Sequence, residues 1–275
     1  MYLSHLNTGR FEGWLHTSTY RLIMSIPTLP PDLIFSVIDH LHDDKHALLA
    51  CSQVAQSWVN PSHHHLFKKL HIFLMDPEWL SKILTFLNQN PRIRGHVRFL
   101  KLWHYNHGYA AYQPICHHTL LNLLQLLPNL TSLILSGVHF TCEHEQEEDS
   151  VSIVSDLDAL TIYDCVTDGS SILPYILRHF HNIRKLQVHS YKGPLIINSL
   201  PALDSLHAHE ISLHAFGVDD LLGTIRHCPQ ILSVAFVSTA QLIELRKFIL
   251  TVGRDLRQLS IRLDEKRFSQ GEVVS

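Results

Sequence analysis

The sequence has few charged residues and lacks any long apolar run. Charged residues make up 17% of the 275 residues, and the formal net charge is −3 with neutral histidines. Such a weak and mixed charge argues against nucleic acid or an anionic membrane surface as a partner. No stretch approaches the ~18 consecutive apolar residues of a membrane-spanning helix. We therefore expect neither a nucleic-acid partner nor a membrane.

Cysteine is scarce and scattered. The five cysteines are odd in number, lie far apart and form no CxxC pair. Such a set does not build a disulfide framework and fits a reducing compartment, so we expect the cytoplasm, the nucleus or both. The first 24 residues have no continuous apolar core of the secretory type. Residues 1–26 are interpreted as a flexible leader.

Sequence signatures of common enzymes and metal sites are also missing. The chain contains no GxGxxG, Walker A, GxSxG or HExxH sequence, so we expect neither catalysis nor a cofactor. Cys116-His117-His118, with His104 and His107 upstream, could bring nitrogen and sulfur donors towards one zinc ion. Their spacing matches no defined zinc motif, and we predict no metal site.

Apolar residues and histidines, by contrast, are abundant. Apolar residues make up 45% of the chain, enough for a sizeable core, and 23 residues are histidine. Histidine gains positive charge below about pH 6.5. Folding or binding is therefore expected to be sensitive to acid.

Residues 27–70 carry the pattern of three short helices. The first begins at a Pro-Pro-Asp sequence, which suits a first helical turn. Asp43 and Asp44 are candidate caps of the second helix, whose apolar face extends to Trp58. Asn60 followed by Pro61 predicts the start of the third helix. Three short helices bury little surface alone, so we expect a partner or the adjoining domain to complete their core.

The same segment resembles a known family. Five short stretches carry the resemblance, in the right order over about 40 residues: Leu29-Pro30-Pro31-Asp32-Leu33, Ile38-Asp39-His40-Leu41, Leu48-Leu49-Ala50-Cys51-Ser52-Gln53-Val54, Ser57-Trp58 and Leu66-Phe67. Residues 27–70 are thereby similar to the F-box, and most similar to fungal-type F-box proteins. The resemblance implies docking to the Skp adaptor of SCF (Skp–cullin–F-box) ubiquitin ligases, and through the adaptor to cullin.

The resemblance also implies which residues would serve the docking. Leu29 and Pro30 would contact the adaptor directly. The others would build the docking face or support it from beneath: Leu33, Ile38, Leu41, Leu49 and Trp58. One departure stands out, since the family often has a basic residue before Ser-Trp and this chain has Gln56. A plain three-helix cap or a degenerate F-box therefore remains an alternative.

Residues 71–275 repeat a short apolar-x-apolar pattern. The pattern begins at positions 100, 133, 160, 186, 206, 234 and 259, at intervals of 33, 27, 26, 20, 28 and 25 residues, with an earlier copy at Leu70. Leucine-rich repeats run ~20–29 residues per strand-and-helix unit. Helical patterns separate several copies, at residues 79–88, 119–127, 172–180, 218–227 and 242–252. The sequence predicts an α/β fold: the three-helix F-box followed by an irregular leucine-rich-repeat solenoid with a curved parallel sheet.

The alternative architecture is a doubly wound α/β domain. Such a domain also alternates strands with helices, but its first strand should lead into a glycine-rich phosphate turn, which is missing.

Residues 143–149 are an acidic run. We interpret this run as a solvated loop rather than as a site for a cation or a partner.

Side chains near the strand ends suggest where a target protein would bind. Aromatic residues anchor many protein interfaces. The predicted repeats place seven aromatic or histidine side chains near the concave face or its rim: Trp103, Tyr105, Tyr163, His189, Tyr191, His207 and His209. We expect an unidentified target protein to bind there.

Overall fold

The computed structural model describes nine stretches of the chain. These are residues 29–74, 77–104, 114–141, 156–167, 176–177, 179–189, 206–214, 229–236 and 239–263. Several predictions lie outside the described residues: the leader 1–26, the acidic run 143–149, the helical pattern 218–227, most of the pattern 172–180, Tyr105 and Tyr191.

The amino-terminal part folds into the three helices that the sequence predicts. They are α1 (Pro31–His40), α2 (Lys45–Val54) and α3 (Gln56–Phe67). Asp44 caps α2, because its carboxylate accepts hydrogen bonds from the backbone N–H groups of His46 and Ala47, both at 3.0 Å. This satisfies two of the four free N–H groups at the start of the helix.

The third helix begins five residues earlier than predicted, at Gln56 instead of Pro61. Ala55 is extended, with φ −159° and ψ 159°, and separates α2 from α3. Pro61 therefore lies inside α3, and Trp58 belongs to α3 rather than to α2. A proline in the second turn costs one backbone hydrogen bond. The earlier start is favoured because it packs Trp58 and Leu66 against the same small core, and packing overrides local start signals.

The three helices have a core of their own. Four apolar side chains form its buried centre, and five half-buried neighbours pack around them. The centre consists of Ile34, Ile38, Leu48 and Leu66. We refer to residues 29–67 as the helical module.

The rest of the described chain is built on parallel strands. In chain order these are β1 (Lys69–Phe73), β2 (Phe99–Trp103), β3 (Pro114–Cys116), β4 (Ser132–Ser136), β5 (His139–Thr141), β6 (Leu157–Tyr163), β7 (Val166–Thr167), β8 (Asn182–His189), β9 (His207–His214), β10 (Ile231–Phe236) and β11 (Gln258–Leu263). Eight strands form the main sheet in the order β1-β2-β4-β6-β8-β9-β10-β11. Among the described strands the order never reverses. The doubly wound alternative, which needs a reversal, is therefore wrong.

Helices and a second sheet lie between the main strands. The helices are α4 (Pro77–Gln89), α5 (Pro91–Arg94), α6 (His117–Gln125) and α7 (Thr239–Val252), the last followed by a 3₁₀ turn at Gly253–Asp255. The helices predicted at 79–88, 119–127 and 242–252 are thus confirmed to within three residues. The short strands β3, β5 and β7 form a three-stranded parallel sheet. No helix among the described residues is long and apolar enough to cross a membrane.

Two ladders of apolar side chains cross the main sheet in register. The first ladder is Leu70, Leu100, Leu133, Leu160, Leu186, Ile211, Leu232 and Leu259. The second lies two residues further on: Ile72, Leu102, Leu135, Ile162, Val188, Leu213, Val234 and Ile261. All are buried in one core except the two on the edge strand β11. Successive positions of the first ladder are 30, 33, 27, 26, 25, 21 and 27 residues apart.

The sheet corrects two predicted repeat positions. The predicted copy at Leu206 belongs at Ile211, and the copy at Val234 belongs at Leu232. A slip of two residues leaves every side chain on its own face, so alternation alone cannot fix the register of β10. In β9 two residues separate buried Ala208 from buried Ile211, and both Leu206-His207-Ala208 and Ile211-Ser212-Leu213 fit the apolar-x-apolar pattern.

The same backbone hydrogen bond follows four successive main strands, beginning with the Leu74 N–H, which donates to the Trp103 carbonyl at 2.9 Å. The backbone N–H groups of His104, Gly137 and Asp164 donate to the last residue of the next main strand, at 2.8–2.9 Å. Gly137 has φ 64°, and an added Cβ would lie 2.6 Å from the carbonyl oxygen of His104. Asp164 takes the same left-handed conformation, at φ 50°. A left-handed residue thus follows both β4 and β6, and only glycine fits at position 137.

The turn after β6 buries a thiol whose reactivity can be predicted. Cys165 is buried, and burial raises the pKa of its thiol to about 12. Because the thiolate is the reactive form, we expect native Cys165 to resist iodoacetamide at pH 8 while half-buried Cys51 and Cys116 are modified. Alkylation followed by peptide mass spectrometry, with and without urea, measures this. Equal labelling of Cys165 and Cys51 in the native protein would contradict the burial.

Candidate functional site

The helical module exposes an unusual amount of apolar surface. Ten large apolar side chains are exposed among the described residues, and five of them lie between residues 29 and 54: Leu29, Leu33, Phe35, Val37 and Val54. Leu33 is 52% exposed. Because so small a segment holds half of the set, its surface is suited to cover by a partner.

The residues that the F-box resemblance implies divide into two groups. Leu29, Pro30 and Leu33 are exposed, so they can touch a partner. Ile38 is fully buried in the module core, so it supports the face instead of contacting a partner. Half-buried side chains complete the support: Leu41, Leu49 and Trp58.

Three further exposed apolar residues of the helical module are not among the predicted docking residues. Val37 lies four residues after Leu33 and therefore on the same flank of α1. Phe35 falls off the apolar stripe of α1, and Val54 ends α2. The signal that could have identified Phe35 is its position outside the apolar period of the helix, where burial is not expected.

The second candidate surface is the outward face of the main sheet. Its middle row lies between the two ladders: His71, Lys101, Ile134, Thr161, Gln187, Ser212, Ser233 and Ser260. Its end row follows the second ladder by one residue: Phe73, Trp103, Ser136, Tyr163, His189, His214, Ala235 and Arg262. Side chains alternate across a strand, so both rows point away from the core.

Rings pack along the end row in two groups. Phe73 and Trp103 stack with 4.3 Å between their centroids, and Lys101 Nζ lies 5.5 Å from the centre of the Trp103 ring. Beyond Ser136, His189 stacks on His214 at 4.6 Å with 9° between the ring planes. Tyr163 is 53% exposed and lies 6.2 Å from His189.

Only part of the predicted target-binding set lies in this row. The end row contains Trp103, Tyr163 and His189. The prediction that His207 and His209 join them is wrong, because these residues lie at the start of β9, where His207 pairs with Asn182. There they line a shallow cavity of about 380 Å³. The register of β9 explains the difference. In the structure His214, which sequence reasoning missed, pairs with His189 and occupies the end-row position of β9.

The outward face is positively charged. Lys101 and Arg262 lie in the middle and end rows, which contain neither Asp nor Glu. Lys185 and Glu210 pair at 2.9 Å nearer the strand starts, one residue before the first ladder. Their opposite charges offset each other, so the charge of the middle and end rows is that of Lys101 and Arg262, and exposed Lys69 adds a third cation nearer the strand starts.

The histidines of this face are held neutral by their surroundings. Partial burial lowers the pKa of His71, His189 and His214 below the usual 6.5. For His214, the neighbouring His189 and the positive charge of Arg262 lower the pKa further. Ser212 Oγ also lies 2.9 Å from His214 Nε2, within hydrogen-bonding distance. At neutral pH the face therefore carries stacked, uncharged imidazoles.

These shifts predict that acid destabilises the fold. A histidine whose pKa is lowered on folding favours the native state above pH 6.5, and this contribution is lost as the pH falls through the folded pKa. We expect the urea midpoint to fall between pH 7.5 and 5.5, a range above the ordinary carboxylate values of about 4. The double variant His189→Gln with His214→Gln should show a shallower fall. A midpoint that rises on acidification would contradict the shifts.

The described residues bring no metal-binding cluster together. No group of three or more His, Cys, Asp or Glu side chains converges among them. Cys116 ends β3, His118 lies in α6 and His104 follows β2, while His107 falls outside the described residues.

Comparison with protein-family models and curated protein sequences finds no match. The interpretation of both surfaces therefore rests on the residues of this chain itself.

Proposed function

We propose that this chain is the substrate-recognition subunit of an SCF-type ubiquitin ligase. Residues 27–70 would act as an F-box that docks to the Skp adaptor and through it to cullin. Residues 71–275 would form a leucine-rich-repeat solenoid that binds a target protein. The observation that carries the proposal is a helical module with its own core whose exposed apolar residues include Leu29 and Leu33, where the F-box resemblance expects contact.

The exposed apolar side chains of the module support docking to a protein. Leu29, Leu33 and Val37 precede or lie on α1, while Ile34 and Ile38 hold that helix on the module core. Apolar area removed from water contributes about 25 cal/mol per Å². Covering such side chains with an adaptor would therefore provide part of the binding free energy.

The main sheet supports the repeat interpretation. Each main-sheet strand except the last pairs in parallel with the main-sheet strand that follows it in chain order. The in-register ladders recur every 21 to 33 residues, close to the ~20–29 residues of leucine-rich repeats. A stack of this kind offers an extended face to a partner.

The connection between the two parts suits a receptor that must hold its target in place. Strand β1 begins one residue after Lys68, which follows α3. The Lys68 carbonyl accepts hydrogen bonds from the backbone N–H groups of Arg98 and Phe99, both at 3.0 Å. The His64 ring also meets His96 at 5.9 Å. The module is thus tied directly into the first two repeats.

No residue of this chain needs to make or break a bond in this function. A receptor that binds the ligase at one end and the target at the other raises the effective concentration of target lysines near the ubiquitin-charged enzyme. Its location would be the cytoplasm, the nucleus or both.

One departure from the F-box pattern favours a second candidate. Gln56 is the first residue of α3 and is exposed, at the position where the family often has a basic residue. A lost cation would weaken docking, and the chain would then be a repeat scaffold with a degenerate F-box and no ligase role.

The two candidates differ in one measurement. The full chain, tagged at its carboxyl end, is mixed with purified Skp adaptor and passed over a size-exclusion column. The ligase proposal expects a stoichiometric complex that also binds the amino-terminal domain of cullin. The scaffold candidate expects separate elution of folded chain and adaptor, and that result would overturn the ligase proposal.

A further inference from the structure

We infer that the outward face of the main sheet binds an extended, acidic segment of a target protein. This inference deepens the proposed function, because it names the class of target that the repeat domain would hold. It rests on the charge, the ring contacts and the dimensions of the middle and end rows.

The charge of the two rows favours an acidic partner. Their sixteen positions hold Lys101 and Arg262 and no acid, although acids outnumber lysines and arginines 25 to 22 in the whole chain. Among the described residues, Asp164 lies one residue beyond Tyr163 in the turn before β7, and Glu210 lies two residues before Ser212, where it pairs with Lys185. Complementary charge speeds association and rejects partners of the same sign.

The ring contacts favour a peptide over a nucleic acid. Proteins that bind single strands offer open aromatic faces on which bases stack. Here Phe73 and Trp103 stack on each other, and His189 stacks on His214. The ring faces are thus partly occupied within the protein. Ring edges, exposed Tyr163 and half-buried Ile134 remain for apolar side chains of a peptide.

The distance between the two cations fits an extended segment. Lys101 lies on the second strand of the sheet and Arg262 on the eighth. Six strand spacings of ~4.8 Å give about 29 Å. An extended chain covers this distance in about nine residues at ~3.3 Å each. A segment of this length could place an acid at each end and an apolar residue near Tyr163.

Peptides of defined composition test the inference on the full chain. The probe is a fluorescein-labelled ten-residue peptide of Glu and Asp with one central Phe. Three comparison probes are used: the same peptide with every acid replaced by its amide, the same peptide with every acid replaced by Lys, and a single-stranded RNA of ten nucleotides. Fluorescence anisotropy should show the acidic peptide binding at least about tenfold more tightly than the amide peptide, with less binding at high salt.

Paired variants locate the binding. Lys101→Gln with Arg262→Gln should weaken binding of the acidic peptide about tenfold, since two charge-assisted contacts are lost. Lys82→Gln with Arg246→Gln removes the same charge from exposed positions on α4 and α7, and should leave binding unchanged. Trp103→Ala should weaken binding of both the acidic and the amide peptide.

Several outcomes would overturn the inference. They are no peptide binding, equal binding of the amide peptide, tighter binding of the RNA, or equal effects of the two charge-removing pairs. Adaptor docking is measured on the same samples. Failure of peptide binding with docking intact rejects this inference alone, and failure of docking with selective peptide binding rejects the ligase role alone.

Discussion

Replacing Leu29 and Pro30 by alanine is expected to abolish stable binding of the Skp adaptor without unfolding the chain. Both side chains are exposed at the start of α1 and lie outside the module core. The hydrogen bonds of Pro30 are made by its carbonyl oxygen, from Leu33 N at 3.0 Å and Ile34 N at 3.2 Å, and alanine keeps that oxygen. The change therefore removes contact surface and retains the helix start.

The expected loss is large because apolar side chains at the centre of an interface dominate its energetics. Truncating such side chains costs about 2 kcal/mol or more each, so the double variant, which loses about 4 kcal/mol, should bind nearly 1,000-fold more weakly. Isothermal titration calorimetry with purified adaptor measures the loss. Circular dichroism and the urea midpoint should match those of the unchanged chain.

Two further variants separate docking from folding. Leu250→Ala truncates a leucine on α7 that is even more exposed, and should leave adaptor binding unchanged. Ile38→Ala truncates a fully buried residue of the module core, so it should lose binding together with helical signal. If Leu29→Ala with Pro30→Ala bound the adaptor with unchanged affinity, the assigned docking face would be wrong.

The helical module was predictable where its signals are local. The proline-containing first turn and the Asp44 cap act within a few residues of the helix starts that they mark. The start of α3 was not predictable in this way, because Asn60 and Pro61 form a stronger local signal than Gln56. Packing of Trp58 against the module core favours the start of α3 at Gln56, and that packing involves residues from all three helices.

The repeats were predictable in period but only partly in register. The apolar-x-apolar pattern identified strands β1, β2, β4, β6, β8 and β11 directly, because each has such a pair at its ladder positions. Near β9 the pattern occurs twice, at Leu206-His207-Ala208 and at Ile211-Ser212-Leu213, and β10 offers two equivalent registers. Register is set by the neighbouring strands, so a single sequence does not contain it in readable form.

The uncertain register of β9 explains which residues of the candidate target-binding surface were predicted in the right row and which were not. Trp103, Tyr163 and His189 were placed correctly in one row because their strands were in register. His207 and His209 were placed wrongly, and His214 was overlooked, because β9 was shifted by five residues. The absence of acids from the middle and end rows became visible only when all eight strands were aligned.

Replacing Leu133 by alanine is expected to destabilise the whole sheet by about 3 kcal/mol, within the usual range of ~2–5 kcal/mol for buried leucines. Leu133 is fully buried on β4 and pairs with Leu100 on one side and Leu160 on the other. Because β4 pairs with β2 on one side and with β6 on the other, a cavity at Leu133 weakens the packing against both neighbouring strands. Urea unfolding followed by circular dichroism measures the change.

Ile134→Ala is the matched control for this prediction. Ile134 lies next to Leu133 on the same strand but points to the outward face, where it is half-buried. The Ile134→Ala substitution truncates an aliphatic side chain of the same size. It should lower the free energy of unfolding by less than half as much as Leu133→Ala, because the truncated atoms are already partly in contact with water. Equal losses for the two variants would mean that both faces of the sheet are covered. The outward rows would then not be free to bind a target segment, so this stability comparison also tests the surface on which the peptide inference depends.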